Sequence, residues 1–138
     1  MASRLVQSDA KRTGTLLVVD DTPENLDFVT TALEPFGYQI ISAASVAEAR
    51  RRLEASEIDL ILCDLHMTPE NGRQFLQQTQ KDLELKKIPF VIISSSFTTE
   101  QEWMDCLGSG AAHFIRRPIE PASLLAQIGQ VLEARKTK

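Results

Sequence analysis

The chain has 138 residues, 43% of them hydrophobic and 25% charged, with a net charge of −4 at pH 7. That length suits one domain, able to bury about two-thirds of the surface its unfolded form exposes without a disulfide or metal staple. The acidic balance gives no reason to expect direct nucleic-acid binding; no stretch approaches the roughly 18 apolar residues of a membrane span, and the start MASRLVQSDAKRTG is too polar for a signal peptide.

Residues 1–14 carry Arg4, Lys11 and Arg12 among polar residues with no apolar period, and read as a flexible tail; the domain spans 15–138. Short apolar runs then alternate with amphipathic stretches. LLVVD (16–20), YQIIS (38–42), IDLILCD (58–64), IPFVIIS (88–94) and AHFIR (112–116) predict five strands. The spacing predicts helices over 23–35, 45–55, 71–85, 98–109 and 121–135, so a strand–helix unit is repeated five times. Thr22 before Pro23 reads as an N-cap with proline at the first helical position, Gly37 lies just past the end of the first helix, and Pro35 loosens its last turn. Ser45 caps the second helix, with Val46, Ala49 and Leu53 towards a sheet and Arg50, Arg51 and Arg52 including its wet side.

Runs such as LLVV, LILC and FVII are apolar at every position, the pattern of parallel strands buried on both faces. Ligands of such α/β sheets bind at the carboxyl ends of the strands, where strand order reverses. The chain places Asp20 and Asp21 there after the first strand, Asp64 after the third, Ser94 after the fourth, and Arg117 with Pro118 after the fifth. Carboxylates brought to about 4 Å repel by roughly 4 kcal/mol per pair at an effective dielectric of about 20, so a positive charge belongs among them. Arg117 is one candidate and a divalent cation the other. An all-oxygen donor set favours Mg2+ or Mn2+, while zinc is disfavoured because Cys63 and Asp64 point to opposite faces of a strand.

Taken together, LLVVDDTPEN, ILCDLHMTPENG, PFVIISS and GAAHFIRRP resemble the signature segments of the two-component response-regulator receiver domain (the CheY-like superfamily) over about residues 14–136. The resemblance implies a flavodoxin-like (βα)5 fold, doubly wound, with a parallel sheet in the order 2-1-3-4-5. It implies that Asp64 is a phosphoacceptor taking a phosphoryl group from a sensor histidine kinase or phosphotransfer protein. Asp21 matches the direct Mg2+ ligand, Asp20 a ligand acting through water, and the His66 backbone carbonyl a further contact to the metal at Asp64. Ser94 matches the switch hydroxyl, Phe114 the aromatic whose rotamer reports the state, and Arg117 stands where the family has lysine. A cis bond before Pro118 is implied, as is an output face made by the fourth helix, fifth strand and fifth helix. A phosphorylation-dependent homodimer is compatible with that face. The module would be a phosphoprotein of a cytoplasmic phosphorelay in signal transduction, catalysing only its own phosphorylation and dephosphorylation. The physical chemistry agrees: phosphoryl transfer to a carboxylate depends on positioning and on neutralising charge on the equatorial oxygens.

Two departures stand out. Arginine at 117 keeps the charge of lysine but carries it on a bulkier planar fork. In DLHMTPENG, Met67 and Gly72 keep the family spacing from Asp64, yet proline falls at 69 rather than 68. Counting from Pro89 selects Ser94 as the switch hydroxyl, and counting back from Pro118 selects Ser95. The His66 and His113 side chains, Cys63 and Arg116 read as non-catalytic, Arg116 as a solvated strand residue. Trp103 and Leu107 form an i, i+4 pair on the fourth helix, packed on the sheet or part-exposed as a partner surface. A phosphorylation-independent (pseudo-receiver) interaction module is the alternative reading. A flavodoxin is disfavoured because DDTPEN would repel a flavin phosphate, and a haloacid-dehalogenase-type phosphatase because His66 stands where it needs a second aspartate. About 20 residues follow Pro118, enough for a last helix, which leaves a single-domain regulator or a piece of a larger signalling protein.

Overall fold

A computed structural model describes residues 14–95 and 98–136. Of the expected tail it describes only Gly14; residues 1–13 lie outside the described residues, as do 96, 97, 137 and 138. Five strands, β1 (Thr15–Val19), β2 (Gln39–Ala43), β3 (Leu60–Asp64), β4 (Phe90–Ser94) and β5 (His113–Arg116), form one parallel sheet in the order β2-β1-β3-β4-β5. Five α-helices alternate with them: α1 (Pro23–Leu33), α2 (Val46–Ala55), α3 (Gly72–Gln80), α4 (Glu100–Gly108) and α5 (Pro121–Lys136).

The two-residue repeat of the strands sorts their side chains into two cores. Leu16, Val18, Leu60, Leu62, Val91, Ile93 and Ile115 pack with Val29, Ala32 and Leu33 of α1 and Leu124, Ile128 and Leu132 of α5. Leu17, Val19, Ile61, Cys63, Phe90, Ile92 and Phe114 face the opposite way, against Val46 and Ala49 of α2, Phe75 and Leu76 of α3 and Cys106 of α4. Each fully buried aliphatic or aromatic side chain contributes about 1.5–3 kcal/mol relative to an exposed one, and that drive pins the register.

The boundaries differ from the sequence reading for local reasons. The first helix stops at Leu33 and tightens into a 3-10 turn, Glu34–Phe36, around Pro35; Gly37 follows in the left-handed region with φ 100°. The third helix ends at Gln80, not at 85, because Asp82 Oδ1 accepts from the backbone N–H groups of Glu84 and Leu85 (2.9 and 3.0 Å) and draws the chain into a turn. Leu83, whose apolar character extended the periodic pattern, is 73% exposed. Thr22 occupies the N-cap position of α1, but its side chain caps nothing there; its backbone N–H turns instead to Asp20. Ser45 caps α2 as expected, accepting from Glu48 N–H.

Candidate functional site

The parallel register brings the ends of β1 and β3 side by side, with Val19 opposite Cys63 and Asp64 opposite Ile93. Asp20, Asp21 and Asp64 therefore meet just beyond the apolar core, each offering a carboxylate oxygen within 4.8 Å of the others. Asp20 and Asp64 are buried and Asp21 is exposed.

Asp20 is held from three directions. Its Oδ1 accepts from Thr22 N–H (2.9 Å) and Asn25 Nδ2 (3.4 Å), and its Oδ2 receives a 2.6 Å ion pair from Arg117. The other guanidinium nitrogen of Arg117 reaches Asp64 Oδ1 at 3.4 Å, so one planar group bridges two carboxylates. Arg117 is aimed by a cis Arg117–Pro118 bond and by its own N–H, which donates to Ser94 O at 2.6 Å. One guanidinium against three acids leaves the cluster short of positive charge. The carboxyl of Asp64 is correspondingly raised above the usual aspartate range, first by burial and then by the charge of Asp20, against the lowering influence of Arg117 and of the His66 backbone N–H.

The loop after β3 shapes the rim. Gly72 N–H donates to Leu65 O at 2.9 Å, and a Cβ on Gly72 would collide with the backbone carbonyl of Asp64, so only glycine lets α3 start this close. Met67 is buried, and the Thr68–Pro69 bond is cis. Asn71 caps α3 in a reciprocal box with Gln74.

On the far side, Ser94 ends β4 fully buried, while Ser95 is half-buried beyond it. The Ser94 hydroxyl is hydrogen-bonded to that of Thr98, and Thr98 Oγ1 lies 3.2 Å from His66 Nε2. Phe114 is buried beneath Trp103, ring centroids 5.7 Å apart, and Trp103 is 36% exposed, so this ring packs on the sheet while keeping part of its surface open. Arg116 overturns its expectation as a solvated residue. It is half-buried, donates to Thr98 O at 2.9 Å and lies 5.1 Å above the Trp103 ring. The sequence reading missed Thr98 altogether; its capping neighbour was legible, since Thr99-x-x-Glu102 is a capping box. The side chain of His113 is spent on Gln127 (2.6 Å), and burial pushes the Cys63 thiol well above its ordinary pKa, as suits a packing residue.

Comparison with known proteins agrees with this geometry. The family described as "Response regulator receiver domain" matches residues 16–129. Protein PilH of Pseudomonas aeruginosa is 31% identical over 119 residues, 85% of this chain and 96% of PilH. Response regulator SaeR of Staphylococcus epidermidis is 32% identical over 123 residues, 89% of this chain but 52% of SaeR, so the chain spans about half the length of that relative. Among solved structures, the receiver domain of a Syntrophus aciditrophicus signal transduction histidine kinase superposes with TM-score 0.81 at 26% identity, covering 91% of this chain and 94% of that one. Chemotaxis protein CheY4 of Vibrio cholerae shares the fold at TM-score 0.79 and 24% identity, covering 86% and 98%. A five-stranded doubly wound sheet, an acidic cluster at its carboxyl edge and a family match across most of the chain lead to one conclusion: the chain belongs to the response regulator receiver domain family.

Proposed function

We propose that the chain is a phosphoacceptor module in which Asp64 takes a phosphoryl group from a phosphohistidine on a sensor kinase or phosphotransfer protein. The observation that carries this reading is the buried Asp64 carboxylate beside Asp20, Asp21 and the Arg117 guanidinium. In the transfer, an Asp64 oxygen forms the new P–O bond as the P–N bond to the donor imidazole breaks, and the electron pair leaves with the imidazole nitrogen, which takes up a proton. The three aspartates form a hard, oxygen-only donor set that fits Mg2+ or Mn2+, with Asp21 open to solvent and the His66 carbonyl as a further donor. The cation, when bound, neutralises charge on the phosphoryl oxygens. Arg117 binds a phosphoryl oxygen from the opposite side, and Ser94 supplies a hydroxyl donor. The added charge then draws Ser94 and Phe114 into a second arrangement, read by a downstream protein at α4, β5 and α5 in the cytoplasm.

A small acyl-phosphate donor tests this. Intact mass should show one phosphoryl adduct with Mg2+, none with a chelator, and none on Asp64→Asn in either condition; an adduct of equal yield on Asp64→Asn would overturn the assignment. A second reading, a module that binds its partner without phosphorylation, is favoured by one observation: Arg117 already neutralises part of the pocket by pairing with both buried acids. It predicts unchanged partner affinity in Asp64→Asn.

A further inference from the structure

Thr98 lies outside the acidic cluster, yet each of its polar groups has a partner. Its N–H donates to Ser95 O at 3.2 Å, its carbonyl accepts from Arg116 at 2.9 Å, and its hydroxyl meets both Ser94 Oγ and His66 Nε2. The residue is 4% exposed. Four elements thus converge on one side chain and its peptide: the end of β4 through Ser94, the loop after Asp64 through His66, β5 through Arg116, and α4, which starts two residues later at Glu100. Arg116 extends the set outward, since its guanidinium lies over Trp103, which covers Phe114.

With Thr98 Oγ1 donating to His66 Nε2, the single proton of the Ser94 hydroxyl is the one left to join the two hydroxyls. We propose that Thr98 is the positioning residue of this site. It is a clasp that holds Ser94 and the start of α4 in one arrangement until the oxygens of an acyl phosphate on Asp64 compete for the Ser94 hydroxyl. Arg116 carries the release to Trp103. This rests on the phosphoacceptor reading above, because the competing oxygens are those of the modified Asp64. Chemically, the clasp works by exchange: a neutral hydroxyl–hydroxyl bond is traded for a bond to a charged phosphoryl oxygen, which is roughly twice as strong. Loss of that bond leaves Thr98 held by Ser95, His66 and Arg116, and a shift of its peptide moves the Arg116 cation over Trp103.

The test uses beryllium trifluoride with Mg2+ as a phosphoryl mimic on the full chain, read by backbone amide spectra and Trp103 emission. Thr98→Val removes the hydroxyl at nearly constant shape. Without the mimic, its Ser94 and Phe114 amides and Trp103 emission are expected to have moved at least about half of the way to the mimic-saturated wild-type values. Thr98→Ser is expected to restore the wild-type positions, a rescue that simple loss of packing would not give. In Arg116→Met the Ser94 amide should respond to the mimic as in wild type while the Trp103 change falls below about a quarter of normal. Wild-type spectra for Thr98→Val, with a normal response of Asp64 and His66 amides, would overturn the clasp and leave the phosphoacceptor reading standing. If the mimic moves the Asp64 and His66 amides in no variant, the phosphoacceptor reading fails and the clasp with it.

Discussion

Two aspartate–arginine bridges close opposite ends of the same sheet, and they do different things. At the amino edge, Asp59 accepts from Thr15 N–H at 2.8 Å and meets Arg135 of α5 at 3.4 Å, with the paired side chains 42% and 41% exposed. At the carboxyl edge, Asp20 and Arg117 are 1% and 20% exposed, the contact is 2.6 Å, Asp64 meets the same guanidinium at 3.4 Å, and Asp21 completes the acidic cluster. The first pair ties a helix to strand ends in water, where screening leaves about 0–1 kcal/mol. The second sits in surplus negative charge and low dielectric, where the same chemistry creates demand for another cation. Residue type alone does not separate structure from function here. Burial and the unbalanced local charge do.

The sharpest way to break this comparison is to remove both arginines in turn. Arg117→Ala should destabilise the metal-free protein by about 2–4 kcal/mol in urea unfolding, because buried acids lose their counter-ion. Saturating Mg2+ should return most of that stability, and calorimetry should show Mg2+ binding at least about tenfold tighter than in wild type, since a competing charge has gone. Arg117→Lys keeps the charge but cannot bridge Asp20 and Asp64 as a fork, so its Mg2+ affinity should fall between the two.

A smaller effect comes from pH. The Asp64 carboxyl is raised in the folded chain, so between the ordinary aspartate value and that raised value the folded state holds a proton that the unfolded state has released. Stability therefore falls as pH rises through that window and stays reduced above it. Asp64→Asn removes the penalty, so metal-free protein at neutral pH should melt higher than wild type, with the gain vanishing at acid pH. The smallest effect closes the comparison: Arg135→Ala should cost less than about 1 kcal/mol and show no Mg2+ dependence.

Much of this was legible in the order of residues. The three central strands announced themselves because both faces of a central parallel strand are buried, and LLVV, LILC or FVII admits no polar alternation. The acidic cluster followed from strand ends alone, as did the cis bond before Pro118 from the family resemblance. The misreadings share a cause. Leu83 extended the third helix because periodicity counts apolar residues and cannot see Asp82 capturing the next two N–H groups. Arg116 looked solvated because strand alternation does not show that Trp103 of α4 and the Thr98 carbonyl lie beside it. Thr98 carried no signal, since its partners come from three separate segments.

Whether the carboxyl-edge charge cluster works as a phosphorylation switch is tested most directly by amide spectra of the full chain with acyl-phosphate donor and Mg2+. Shifts at Asp64 and His66 accompanied by Ser94 and Phe114, absent in Asp64→Asn, are the predicted result. Shifts confined to Asp20, Asp21 and Asp64 on adding Mg2+, with Ser94 and Phe114 unmoved by donor, would contradict it.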